Sequence, residues 1–381
     1  MKLRKAILMK TLLDMAEEIK KTCLYDSHVA LGAQMSPFGG FDMPIQYAGI
    51  TQEHLAVRGK VGIFDVSHMG EIFISGPDAE RYINHIFTNN ISGFNPGKIL
   101  YGMMLYPNGG TVDDLLVYRE FEPDHFLLVV NAANIDKDYA WMLDQQKGYD
   151  VKIDNQSDIW GQIAIQGPEA EKTIISLFGL DCAKSLSFYE YCNSEYNGHR
   201  LIVSRTGYTG EDGFELYATL QDTVEIWDRL IKAGVQPCGL GCRDTLRFEA
   251  GMPLYGDELS ADISPIEAGL GMFCKLDKAE FIGREALVAQ KELGVEKKLV
   301  GIEIFDRAIP RHGYPVELED GTLIGEVTTG YHSITLDKSI CFALVKPQYS
   351  ALGTDLFIRI RKKVFPGKVI GKRFYQTNYK K

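Results

Sequence analysis

The chain has 381 residues, 45% of them hydrophobic, enough to bury a sizeable core in two or three domains and too apolar for a disordered polymer. Its formal net charge of -10 and pI near 5.4 argue against a general nucleic-acid binder. Seven cysteines without a C-x-x-C pair or accompanying His spacing point to neither a disulfide framework nor a zinc site, and so to a reducing compartment.

The first segment places Lys2, Arg4 and Lys5 before Ile7-Leu8-Met9, but Lys10 interrupts the apolar stretch and Asp14, Glu17 and Glu18 follow. Neither a secretory leader nor an acid-poor transit peptide has that pattern. Leu3, Ile7, Leu8, Leu12, Met15 and Ile19 make a short amphipathic helical stripe instead. No segment is apolar over the length needed to span a bilayer, so a cytoplasmic protein without membrane contact is the expectation.

Leu31 to Tyr47 reads as loops between short strands, Thr51 to Arg58 as a helix, and Val61 to Met69 as a β-branched strand ending at His68. A lone His there is more often a hydrogen-bonded structural residue than a base. Pro77-Asp78-Ala79-Glu80 opens a helix with its acids in the first turn. The stretch Tyr101 to Tyr118 then reads as a hairpin about Pro107-Asn108-Gly109-Gly110. Its second strand carries Asp113 and Asp114, whose side chains must point to opposite faces and so cannot share one task. One of them faces inward beside Leu115 and Val117, and an inward Asp is either a satisfied acceptor or a working acid or base.

Phe126 to Asn131 is an apolar strand ending in an amide, Ile135 to Gln146 a helix, and Ile159 to Ile165 a further strand. Ser204 to Glu215 is a strand, a Gly-rich loop holding Thr206-Gly207-Tyr208, and a returning strand that carries Glu215. No helix follows its glycines, which excludes the dinucleotide-binding pattern. Pro237 to Gly251 is a Gly-rich turn into a helix with Arg243 in its first turn, where the helix dipole disfavours a cation. Such a placement suits an Arg that holds a carboxylate with its planar fork of donors. From Lys298 the pattern changes to short strands and turns, a small all-β unit. Basic residues crowd the stretch from Asp355 to Lys381, in which Asp355 is the only acid. That surface is either a solvated strand edge or a docking face for an acidic partner.

Six strings, in order, resemble the glycine cleavage system T-protein (aminomethyltransferase) family. They are Asp65 to Met69, Gly109 to Leu115, Thr206 to Glu211, Cys238 to Arg247, Leu254 to Gly256 and Ile282 to Leu287, and Gly325 to Gly330 fits as well. The match runs from Cys23 to the end. Ile334 stands where the family usually has Pro, Cys242 replaces a common Ala, and the segment before Cys23 is extra.

The resemblance implies an α+β fold, a three-domain cloverleaf around a central folate site with a C-terminal β-barrel domain. It divides the chain into an N-terminal amphipathic extension (1–22), a folate-binding region of two interleaved α+β domains (23–283), a linker (284–297) and the barrel with its tail (298–381). It implies transfer of the methylene of the aminomethyl group on lipoylated H-protein to tetrahydrofolate, releasing ammonia and leaving dihydrolipoyl H-protein, with no metal. The partners it implies are the H-protein carrier and, indirectly, the other glycine cleavage components. Carried over by position, Asp113 is the essential carboxylate beside the pterin, and Tyr101, Asn131, Tyr208, Glu215, Arg243 and Tyr379 line the folate site. Asp114 is left a structural role. The alternatives are a related folate-dependent demethylase of a small methylated substrate, or a non-catalytic folate-binding protein.

Overall fold

The computed structural model describes residues 19–380, so most of the expected N-terminal amphipathic extension lies outside the described residues. Two sheets form the first part of the chain. The five-stranded sheet runs in the order Ile99–Leu105, Thr111–Arg119, His125–Val130, Gly70–Ser75 and Lys152–Asn155, every neighbouring pair antiparallel. The six-stranded sheet runs Tyr191–Tyr196, His199–Ser204, Gly213–Thr219, Trp160–Gln166, Gly62–Asp65 and Gln236–Pro237, and only the last pair is parallel.

Both sheets are covered on both faces. Ile72, Ile74, Leu115, Val117, Phe126 and Leu128 of the first pack on residues of the helices Ala79–Ile86 and Ile135–Asp144. Ile163, Ile165, Leu201, Val203, Phe214 and Leu216 of the second pack on Ala170, Ile174, Ile226, Trp227 and Leu230, which belong to the helices Ala170–Phe178 and Leu220–Lys232. Because strand side chains alternate, the next residues along point the other way. Those of the two sheets meet each other through Ile99, Tyr118, Leu127, Val129, Tyr191, Ile202 and Tyr217. This second, inter-sheet face is where polar side chains of both sheets gather.

The last part is a closed six-stranded barrel in the order Lys298–Ile304, Lys338–Val345, Leu323–Ser333, Pro315–Glu317, Asp355–Ile360 and Lys363–Ile370. Closure leaves no strand edge unpaired, and twelve buried apolar side chains fill the interior. The helix Leu240–Glu249 joins barrel to sheets: its Phe248 packs on Phe342 and Phe374, while Cys242 and Leu246 pack on Phe64 and Ala164. The helix starts where it does because Gly239 lies against another chain segment. A Cβ there would sit 2.2 Å from the backbone of Ile45, and the Gly239 N–H donates to the buried Glu53 carboxylate at 2.9 Å. Among the described residues no helix is long and apolar enough to cross a membrane.

Candidate functional site

The hairpin Ile99–Leu105 and Thr111–Arg119 sets the first group of side chains. Its turn holds Gly109 at φ +89°, and Gly110 packs so closely that a Cβ would lie 1.8 Å from the Ala261 carbonyl oxygen. The pairing then slips by one residue between Met104 and Leu105. Beyond the slip, Asp113 takes the same face as Leu115 and Val117, toward the helices. Asp113 is fully buried. Its Oδ1 accepts from Asn131 Nδ2 at 2.9 Å and Asn134 Nδ2 at 2.6 Å, and its Oδ2 accepts from the Asn131 backbone N–H at 3.0 Å. Asp114 takes the inter-sheet face with Leu116 and Tyr118. Its Oδ2 accepts from the Tyr101 hydroxyl at 2.8 Å and its Oδ1 from Asn131 Nδ2 at 2.9 Å.

Between the sheets, the loop Ala250 to Tyr255 and the C-terminal tail lies a cavity of about 810 Å³. Tyr101, Asn131, Tyr208, Glu215, Arg243 and Tyr379 all line it, and so does Asp114; Asp113 does not. Asp113, which the resemblance makes the essential carboxylate, thus lies behind the cavity wall, and Asp114 is the carboxylate of the pair that faces it. The reason is that both faces of this sheet are covered, so the inward position beside Leu115 and Val117 is the helix core and not the ligand side. Tyr208 donates its hydroxyl to the Pro253 carbonyl and lies under the Arg243 guanidinium, 4.8 Å from ring centre to carbon. Glu215 accepts from the Thr206 hydroxyl at 2.5 Å. Tyr379 stacks on Phe188 at 4.0 Å between centroids and 14° between planes. Two of these expected site residues present buried polar atoms without a partner among the described residues: Nη1 of Arg243 and the hydroxyl of Tyr379. Unpaired buried donors of this kind call for a ligand, because each loses its water without compensation.

Two family profiles cover nearly the whole chain. The "GCVT N-terminal domain" matches residues 24–278, and the "Glycine cleavage T-protein C-terminal barrel domain" matches residues 297–376. The chain belongs to the glycine cleavage T-protein family. A protein named aminomethyltransferase from Lysinibacillus sphaericus (strain C3-41) is 50% identical over 368 residues, 96% of this chain and 100% of that protein. One of the same name from Alkaliphilus oremlandii (strain OhILAs) is 49% identical, with the same coverage. The crystal structure of glycine cleavage system aminomethyltransferase T from Bartonella henselae superposes with a TM-score of 0.91 at 29% identity, covering 96% of this chain and 100% of that one. The mixed helix-and-sheet fold with a C-terminal barrel, expected from the resemblance, is the T-protein fold found here.

Within this T-protein cavity, charge is set by burial. Burial first, and then the neighbouring Asp113 charge, push the Asp114 carboxyl up to about 7, against the opposing pull of the Tyr101 and Asn131 hydrogen bonds. Behind them, burial and the Asp113 charge push Asp138 up to about 11, so it faces Asp113 as a neutral acid. Burial raises Glu215, while the Thr206 hydroxyl and the Arg243 charge oppose it. Burial also lowers Arg243.

Three further residues that the sequence reading did not assign to the site line the cavity. His68 is buried between the edges of Phe38 and Phe41, and burial pushes it down to about 4, so it is a neutral imidazole. Its Nδ1 has no partner, which departs from the hydrogen-bonded role expected of it. Gln162 sits on the inter-sheet face with Oε1 buried and unpaired. It had a signal in the sequence, an amide inside the apolar run Trp160 to Ile165. Arg373 reaches the cavity from the basic tail and had none, since nothing in its neighbourhood separates it from the other cations there.

Proposed function

We infer that the chain is the aminomethyltransferase of the glycine cleavage system, passing the methylene of an aminomethyl group on lipoylated H-protein to tetrahydrofolate. The observation that carries the reading is the single cavity in which Asp114, Tyr101 and Asn131 face Tyr208, Glu215 and Arg243. Tetrahydrofolate supplies the nucleophilic nitrogens. The residues present suit such a ligand: flat aromatic walls for the ring, acceptors at Glu215 and Gln162 for its N–H groups, and the unpaired Arg243 donor for a carbonyl or carboxylate.

Asp114, held from both sides by Tyr101 and Asn131, accepts the proton that the attacking nitrogen sheds and returns it to the departing group. In balance, one nitrogen–carbon bond forms as ammonia leaves and a second as the carbon–sulfur bond breaks. The two folate N–H protons end on the ammonia and the thiol. The low polarity around Asp114 keeps its proton affinity near that of the solution, where both steps are accessible. The test is to supply aminomethylated H-protein and tetrahydrofolate to the purified chain and measure methylene-tetrahydrofolate and ammonia in equal amounts. No product, with demethylation of a small methylated substrate instead, overturns the reading.

A pH dependence follows from the same group. Asp114 must be ionised to accept a proton, and its pKa is about 7. The transfer rate at limiting folate is therefore expected to be low at acid pH, rise through about 7 and level off above it. A flat profile between pH 5 and 8 would remove Asp114 from the proton transfer.

The H-protein partner, a cytoplasmic setting and the division at the helix Arg284–Leu293 between folate-binding body and barrel belong to the same proposal. Part of the basic tail is neutralised within the fold. Arg359 makes a two-pronged pair with Glu317 at 2.7 Å, Lys368 pairs with Asp355 at 3.0 Å, and Lys380 with Glu171 at 3.0 Å. Arg361, Lys362 and Lys363 are left exposed at the turn between the last two strands, without an ion pair among the described residues. Reversing these three charges to Glu is expected to weaken binding to an acidic lipoyl carrier by about tenfold at low salt and to flatten its salt dependence. Unchanged affinity and salt slope would make the turn a solvated edge only.

A further inference from the structure

A line of buried side chains runs between the sheets from one wall of the cavity to another. Thr206 Oγ1 lies 2.5 Å from Glu215 Oε2, and Ser204 Oγ lies 2.8 Å from Thr206 Oγ1. The Tyr118 hydroxyl lies 3.0 Å from Ser204 Oγ and 2.9 Å from the Tyr217 hydroxyl, which in turn lies 3.0 Å from Gln162 Nε2. Tyr118, Tyr217 and Ser204 have no solvent exposure, and Thr206 and Gln162 almost none.

The direction of this line is fixed by hydrogen counting. Each hydroxyl carries one hydrogen. Thr206 spends its own on the Glu215 carboxylate, so it must accept from Ser204. Ser204 must then accept from Tyr118, Tyr118 from Tyr217, and Tyr217 from the amide of Gln162. The chain thus also fixes which way the Gln162 amide points. Its NH2 faces Tyr217, and its Oε1 is the buried atom without a partner. Both ends therefore present acceptors at the cavity: Glu215, whose Oε2 alone is taken by Thr206, and Gln162 Oε1.

We propose that Tyr118, Tyr217, Ser204 and Thr206 form a one-way hydrogen-bond chain that positions the Glu215 carboxylate and the Gln162 carbonyl as paired acceptors for the N–H edge of the folate ring. Aligned bonds polarise one another, and a chain ending on a carboxylate strengthens along its length. Tyr118 is the member that comes from the five-stranded sheet, on the same strand and face as Asp114, four residues away. Through it, the sheet that holds the reacting carboxylate is tied to the acceptors that hold the ring. The four hydroxyl residues are positioning residues, since they act through Glu215 and Gln162. The inference rests on the folate reading above and names the side chains that set ring orientation within it.

The experiment measures kcat and KM for tetrahydrofolate in the H-protein assay, tetrahydrofolate affinity by calorimetry, and Tm. The variants are Tyr118→Phe, Thr206→Val, Thr206→Ser, Glu215→Gln and the double variant Tyr118→Phe with Glu215→Gln. Loss of one well-placed hydrogen bond in the chain is expected to raise KM about tenfold with kcat held within about twofold, the scale of a single bond's net contribution. Thr206→Ser, which returns the hydroxyl, is expected to recover the affinity lost in Thr206→Val. The double variant is expected to bind no more weakly than Glu215→Gln alone, because the chain acts through that carboxylate. A fall in Tm for Tyr118→Phe with KM unchanged, or fully additive losses in the double variant, overturns the proposal. Failure of the unmutated protein to bind tetrahydrofolate overturns the folate reading itself, a result distinct from either.

Discussion

Asp114→Asn is expected to lower methylene transfer by about 10²–10⁴-fold, the usual contribution of a well-placed acid–base group, while tetrahydrofolate still binds. The substitution keeps size and shape: the one remaining oxygen can still accept from Asn131 Nδ2, and the new NH2 can donate to the Tyr101 hydroxyl oxygen, so the fold is expected to persist. It removes the one carboxylate of the adjacent pair that reaches the cavity. Asp113→Asn is the informative partner. Asp113 touches no cavity surface, but its charge helps raise Asp114, with burial the larger cause. Removing that charge lowers the Asp114 pKa, so the acid limb of the pH profile is expected to move to lower pH with most of the plateau rate kept. If instead Asp113→Asn abolishes transfer and Asp114→Asn spares it, the assignment is reversed.

The placement of Asp114, and not Asp113, at the cavity marks how far the sequence can be read. The hairpin at Pro107-Asn108-Gly109-Gly110, the strand ending at Asn131, the strand bearing Glu215 and the helix bearing Arg243 were all legible from turn chemistry and periodicity. So was the opposition of Asp113 and Asp114. Which of them met the cavity was not, because an alternating strand announces two faces without saying what covers each. Here the apolar face packs on helices and the more polar face meets another sheet. The gathering of Tyr101, Asn131, Tyr208, Glu215, Arg243 and Tyr379 rested on resemblance, since residues spread over nearly three hundred positions carry no local signal that they meet. Tyr118 and Tyr217 read as ordinary strand aromatics. Only their register across the inter-sheet space turns them into a hydroxyl chain.

Arg247→Met is expected to destabilise the protein by about 3–5 kcal/mol, the cost of leaving a buried charge without its partner. Arg247 is almost wholly buried on the helix Leu240–Glu249, and it donates to Asp244 at 2.6 Å, to Glu258 at 2.9 Å and to the Met252 carbonyl at 3.1 Å. Glu258, fully buried, also accepts from the Leu254 N–H at 3.0 Å and from the hydroxyls of Thr328 and Thr329, each at 2.6 Å. Two adjacent threonines reach one carboxylate because the barrel strand slips register between Val327 and Thr329, a bulge that turns neighbouring side chains to one side. This network fastens three things at once: the helix that carries Arg243, the cavity loop from Met252 to Leu254, and the barrel. Its loss is therefore expected to lower Tm and raise KM for tetrahydrofolate together. Replacing Glu258 by Met as well removes the stranded charge, so the double variant is expected to be more stable than Arg247→Met alone. A double variant no more stable than the single one would show that packing around Arg247, and not its charge, holds the barrel to the cavity loop.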